Sequence, residues 1–168
     1  MGVMALTGIL ETLEEQTKVY EQLLHSAKDK TPVLVNNDID SLNTIIQKEK
    51  KLLLRADELE KTRLAHTYRY FHEIGYKSRL HNLTELIRSV YHPEDKQRLI
   101  EKQQQMSGML KELQHINDLN QQLIAQSLAF INYSIDLVVE DPAEDVTYQH
   151  PHNKLGGSGR TGIFDTRA

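Results

Sequence analysis

The residues whose types and spacing could do chemistry lie mostly near the C-terminus. Gly157, Gly159 and Gly162 spell G-x-G-x-x-G, which in a dinucleotide-binding protein turns the backbone beneath a pyrophosphate. That use needs a strand before the glycines and a helix after them. The sequence stops six residues beyond Gly162, so these glycines read as a flexible tail. His150 and His152 could begin a metal site, but no third ligand lies nearby, and they read as solvated. His66 and His72 are six apart, which a helix places on opposite faces instead of converging. A Ser-His-acid triad is assembled in three dimensions, and nothing along the chain recommends one. Zero cysteines remove disulfide and thiolate chemistry and suit a reducing compartment. The expectation is a protein with no catalytic residues, no cofactor and no metal: not an enzyme.

The totals narrow the class further. A net charge of −4 and a pI near 6.1 disfavour nucleic acid and anionic membrane surfaces, which need concentrated positive charge. The densest basic stretch, Lys48 to Arg63, is interleaved with Glu49, Asp57, Glu58 and Glu60. Uninterrupted apolar runs such as Leu128-Ala129-Phe130-Ile131 are short, so neither a signal peptide nor a membrane span is expected. The sequons at Asn82 and Asn132 then read as chance. Hydrophobic residues at 39%, charged residues at 26% and a mean hydropathy of −0.53 predict a thin, elongated core. At 168 residues the chain fits one helical domain, 1–139, and a tail, 140–168. A soluble cytoplasmic protein follows, with Met4 an alternative start to Met1-Gly2-Val3.

Helices must position whatever this chain uses. Leu6, Leu10, Leu13, Thr17, Tyr20, Leu24 and Ala27 alternate steps of four and three, one stripe of a first helix that Pro32 should end. Asn37 and Asp38 are N-cap candidates for a second helix. Its stripe is Leu42, Ile45, Ile46, Glu49, Leu52, Leu53, Ala56 and Leu59, and it runs to about Phe71. Gly75 breaks the pattern, and Asn82 to Val90 predicts a short third helix. Pro93 suits the first position of a last helix that nothing interrupts before Val139 except Gly108. The architecture predicted is all-α, an elongated antiparallel hairpin or bundle of three to four helices with a long C-terminal helix.

The two halves of that last helix differ. Leu99, Met106, Met109, Leu110 and Leu113 occupy one seam. Beyond it, Leu123, Phe130 and Leu137 form one line, and Ile124, Leu128, Ile131, Ile135 and Val138 form another. Together they cover about half the circumference, which is surplus apolar surface on a soluble protein. A partner could cover it; so could self-association, the third helix or the tail, where Tyr148, Leu155, Ile163 and Phe164 are apolar. Glu49, Asn117 and Asn120 punctuate the seam, and either Glu49 bonds one of the two amides across the bundle or it is a solvated carboxylate at the edge.

Several of these stretches are similar to the FlgN family of flagellar export chaperones. They are Ile116-Asn117-Asp118-Leu119-Asn120-Gln121-Gln122-Leu123 running into Ser127-Leu128-Ala129-Phe130-Ile131, and Tyr20 with Leu23-Leu24. Asn37-Asp38 with Leu42, Glu49-x-x-Leu52-Leu53, Leu59-Glu60-x-x-Arg63 and the ending Phe164-Asp165-Thr166-Arg167-Ala168 complete the likeness. The resemblance implies a chaperone that sequesters an amphipathic C-terminal helical segment of a hook-filament junction protein, of the FlgK or FlgL type. It then delivers that client to the export apparatus. The partner-binding residues expected on the last helix are Leu123, Ile124, Leu128, Phe130, Ile131, Ile135 and Val138, with Tyr148, Ile163 and Phe164 in the tail. The free protein is expected to be a monomer that neither binds nucleic acid nor inserts stably in a membrane. The alternative from a different class is a self-associating coiled-coil scaffold or signalling adaptor using the same face.

Overall fold

The computed structural model of the chain describes residues 3–139. They form four helices and, among the described residues, no strand: α1 (Val3–Val35), α2 (Ile39–Ile74), α3 (Leu83–Ser89) and α4 (Pro93–Val139). By compactness the chain divides between Ala125 and Gln126, inside α4, and each unit is described by itself.

In the first unit α1 is the central helix. Its buried residues include Ala5, Leu6, Ile9, Leu13, Gln16, Thr17, Leu23 and Ala27, an arc wide enough to meet a neighbour on either side. α2 runs antiparallel to α1, as the pairing of Gln16 with Glu60 and of Ser26 with Glu49 requires. α4 runs parallel to α1, because Glu14 meets Lys102, Lys28 meets Glu112 and Thr31 meets Asn120. Small residues let α1 and α2 close up. A methyl group on Gly8 would stand 2.8 Å from the His66 ring, so the glycine leaves the space the imidazole fills.

The hydrophobic core has two parts. One joins Leu6, Ile9 and Leu13 of α1 to Tyr70 and Phe71 of α2, Leu86 of α3, and Leu99 of α4. The other is smaller: Val19, Leu23 and Leu59, with Tyr20, Leu52, Ala56 and Leu113 packed around it. The thin core anticipated from composition has polar groups within it. Gln16 is buried, and its Nε2 donates to Glu60 at 2.9 Å while its Oε1 has no protein partner. Arg63 is also buried; it forks onto Glu60 at 2.9 and 2.6 Å and donates to the His81 carbonyl at 3.1 Å.

Four helix ends show how the chain turns. α1 does not stop at Pro32 but continues to Val35. A proline removes one backbone donor, while its own carbonyl still accepts from Asn36 at 3.0 Å, and the Val33 carbonyl accepts from Asp38 at 3.1 Å. Asn37 then takes the left-handed conformation (φ 52°), which asparagine tolerates. Asp38 caps α2 by accepting from the Ser41 amide at 3.1 Å. At the other end of α2, Gly75 adopts φ 69°, the left-handed cap that favours glycine. The connection that follows is held by side chains: Tyr68 stacks on His81 with ring centroids 3.7 Å apart, and Tyr76 donates to Glu85 at 3.1 Å. Asn82 caps α3 through the Glu85 amide at 2.8 Å.

Candidate partner-docking surface

The chain builds its surface of interest on α4, and the build begins with what holds that helix down. Leu99, Met106, Leu113 and Asn120 are spaced by sevens, the repeat that keeps one stripe against a partner. Leu99 is wholly buried, Met106 packs on the larger core and Leu113 on the smaller. Asn120 then replaces hydrocarbon with an amide. It is buried, donates to the Ala27 carbonyl at 2.9 Å and accepts from the Thr31 hydroxyl at 2.7 Å. Leu99 and Asn120 are the two buried residues described on α4.

The polar seam is wired differently from the expected contact. Glu49 bonds neither Asn117 nor Asn120; its carboxylate accepts from Lys30 at 2.7 Å and from Ser26 at 3.3 Å. Both side chains of the Lys30–Glu49 pair are more than four-fifths covered. The reason is reach: Ser26 and Lys30 sit on the helix that packs directly against α2, whereas Asn120 is taken up by the backbone and hydroxyl of α1. Glu49, Lys30, Asn117 and Asn120 still border one hollow of about 240 Å³, with Leu53 and Ile124 at its sides.

Distal α4 is bare. Leu123 is half-buried, but Ile124 is 39% exposed, and Leu128, Phe130, Ile131, Ile135 and Val138 are more open still, up to 85% at Val138. Tyr133, Leu137 and Val139 are also exposed, and they were not among the residues expected to bind. Hydrophobicity alone could have added them, since they lie in the same stretch as the others. Residues 126–139 carry one charge, Asp136. Tyr148, Ile163 and Phe164, the other expected anchors, lie outside the described residues, as do His150, His152 and the G-x-G-x-x-G glycines.

Mean hydropathy along α4 differs from the count of uninterrupted apolar runs. α4 includes an 18-residue stretch apolar enough, by length and composition, to cross a membrane, and none of that stretch is buried. Residues such as Asn132 and Asp136 break every run without lowering the average below that mark.

The electrostatics belong to the scaffold. The Arg63 guanidinium, helped by Gln16, holds the Glu60 carboxyl below its ordinary range against the opposing effect of burial. The Lys102 ammonium does the same for Glu14. Burial pushes the Tyr20 and Tyr70 hydroxyls up. Among the described residues no group of three or more His, Cys, Asp or Glu side chains could hold a metal ion. What the arrangement offers is a long exposed apolar helical face.

No solved structure matches the chain. A protein of Bacillus subtilis (strain 168), named "Uncharacterized protein YvyG", is 25% identical over 165 residues, covering 98% of this chain and all of that protein. The family described as FlgN protein matches residues 1–155. With residues 1–155 matched, nearly its whole length, this chain belongs to the FlgN family of flagellar export chaperones.

Proposed function

We propose that this chaperone binds the C-terminal amphipathic helical segments of hook-filament junction proteins in the cytoplasm, prevents their premature assembly and delivers them to the flagellar export apparatus. The observation that carries this reading is the bare face from Ile124 to Val138 on a helix whose preceding part is tied into a bundle. Apolar surface in water is costly at about 25 cal/mol per Å², and a visiting helix with anchors at three- and four-residue spacing removes that cost reversibly. Family membership supports the class of client, and the lack of any covalent machinery on α4 suits capture and release. Residues 1–139 act as the chaperone domain. Residues 140–168 supply the further contacts of Tyr148, Ile163 and Phe164, to the client or to the export machinery.

The test is calorimetric titration of the full chain with peptides spanning the C-terminal segments of the junction proteins, alongside sedimentation of the free chain. Saturable binding to a concentration-independent monomer is expected. A tight dimer that binds no peptide would instead establish the self-associating scaffold, and partition into vesicles in place of peptide binding would establish a membrane role for α4.

A further inference from the structure

Distal α4 is apolar over more of its circumference than one neighbouring helix covers. Within residues 126–139, stepping 100° per residue, Leu137 and Phe130 come together, then Ser134 and Ser127, then Val138, Ile131, Ile135 and Leu128, completing an arc of about 180°. All six large side chains in that arc are exposed, each at 48% or more. The two serines between them are half-covered, and the Ser134 hydroxyl turns back to the Phe130 carbonyl at 2.9 Å, so this strip presents little free polarity. Asp136 lies about opposite the centre of the arc.

A helix packed on another buries a seam about 100° wide. The arc therefore divides into two seams that meet at the serines, where small side chains leave room for two neighbours to approach each other. We infer that distal α4 receives two helical segments of one client at once, one over Leu137 and Phe130 and the other over Val138, Ile131, Ile135 and Leu128. This rests on the chaperone reading and deepens it: the client of this site is a chain with two amphipathic helices whose docking faces are uncharged.

Other occupants cover the arc poorly. A symmetric pair of α4 helices repeats one contact on both copies and buries one seam of each, leaving the second in water. The chain's own last residues are cut by Pro142, Pro151 and glycines from Gly156 onward. Their longest stretch free of both, Ala143 to His150, is eight residues, and its large apolar side chains, Val146 and Tyr148, stand two apart. Positions two apart do not share a helix face.

The chain has no cysteine, so single thiols introduced as Leu137→Cys and Val138→Cys report on each seam from adjacent positions. Each full-length variant is alkylated with and without a purified, full-length junction protein, while calorimetry gives the stoichiometry; Phe130→Cys and Ile131→Cys repeat the measurement should the first pair fold poorly. At one client per chaperone and free client near 100 times Kd, both thiols are expected to react about 100-fold more slowly. Slowing at one seam alone overturns the two-segment arrangement and leaves the chaperone reading standing. Slowing at both that requires two clients per chain overturns it as well. Absence of calorimetric binding sinks the chaperone reading itself, and binding that protects neither thiol moves the docking site off distal α4. Protection without client assigns the arc to a second copy if it grows with chaperone concentration, and to the chain's own residues if it does not; either result overturns the inference.

Discussion

Thr31 on α1 and Asn120 on α4 meet side chain to side chain, the threonine hydroxyl donating to the asparagine Oδ1 at 2.7 Å. The same amide donates through Nδ2 to the Ala27 carbonyl one turn earlier on α1, at 2.9 Å. Both bonds are sheltered from water because Asn120 is 3% exposed. A leucine here would continue the apolar stripe of α4 but could engage α1 at any rotation, whereas the amide accepts one register.

Asn120→Ala should therefore destabilise the fold by about 1–3 kcal/mol, the cost of losing buried hydrogen bonds and leaving a partner unpaired. Urea unfolding followed by circular dichroism measures it. A double-mutant cycle with Thr31→Val should return a coupling of about 0.5–1.5 kcal/mol. Simple additivity of the two changes would mean that the threonine–asparagine bond contributes nothing to the register.

Gly8 and His66 supply a test with opposite signs in two backgrounds. In an open helix, glycine to alanine gains about 1 kcal/mol. Here the new methyl would stand 2.8 Å from the His66 ring. Gly8→Ala should lower Tm in the natural background and raise it in a His66→Ala background, where the obstruction is gone. A rise in both would show that the imidazole moves aside without cost.

The Glu60–Arg63 pair predicts a pH dependence. Its carboxyl is depressed in the folded state, chiefly by the Arg63 hydrogen bond. A group of this kind contributes stability that is present above its unfolded value and lost as pH falls through the folded one. The chain should lose that contribution on acidification below about pH 4.3. Glu60→Gln should cost about 0.5–1 kcal/mol at pH 7, moderated because Glu60 is nearly half open to water, and the gap to the natural chain should close as pH falls. A gap that stays constant from pH 7 to pH 3 would assign the loss to geometry alone.

On the proposed docking face, Ile131→Asp with Ile135→Asp should abolish binding of junction-protein segments while leaving helicity nearly intact. Both side chains are about half exposed, so the bundle has little to lose when they become charged. Collapse of the circular dichroism signal would instead assign these residues to the core.

Much of this fold was legible in the sequence because helix signals are local. Asp38, Gly75, Asn82 and Pro93 mark their boundaries through chemistry that acts within one turn. Pro32 misled for a related reason: the penalty of an internal proline is local too, and near the end of a helix the last turn forms in spite of it. The partners of Glu49 were not legible. They depend on which face of α1 meets α2, and a rotation of one residue exchanges Ile9, Gln16 and Leu23 for Leu10, Thr17 and Leu24 at the centre. Arg63 and Gln16 were hidden in the same way, since a polar residue announces its exposure more often than its burial. The candidate site was readable as an excess of apolar positions over the width of one seam, which is a count along the helix and needs no tertiary information.

The division of α4 has an evolutionary consequence. A change near Leu99 must be answered from within the bundle, by Leu6, Ile9 or Leu86 and their neighbours. On the docking role proposed for distal α4, a change near Ile131 is answered by whatever the client presents. One continuous helix would then obey two kinds of selection, and a lineage could retune its clientele at one end without disturbing the scaffold anchored at the other.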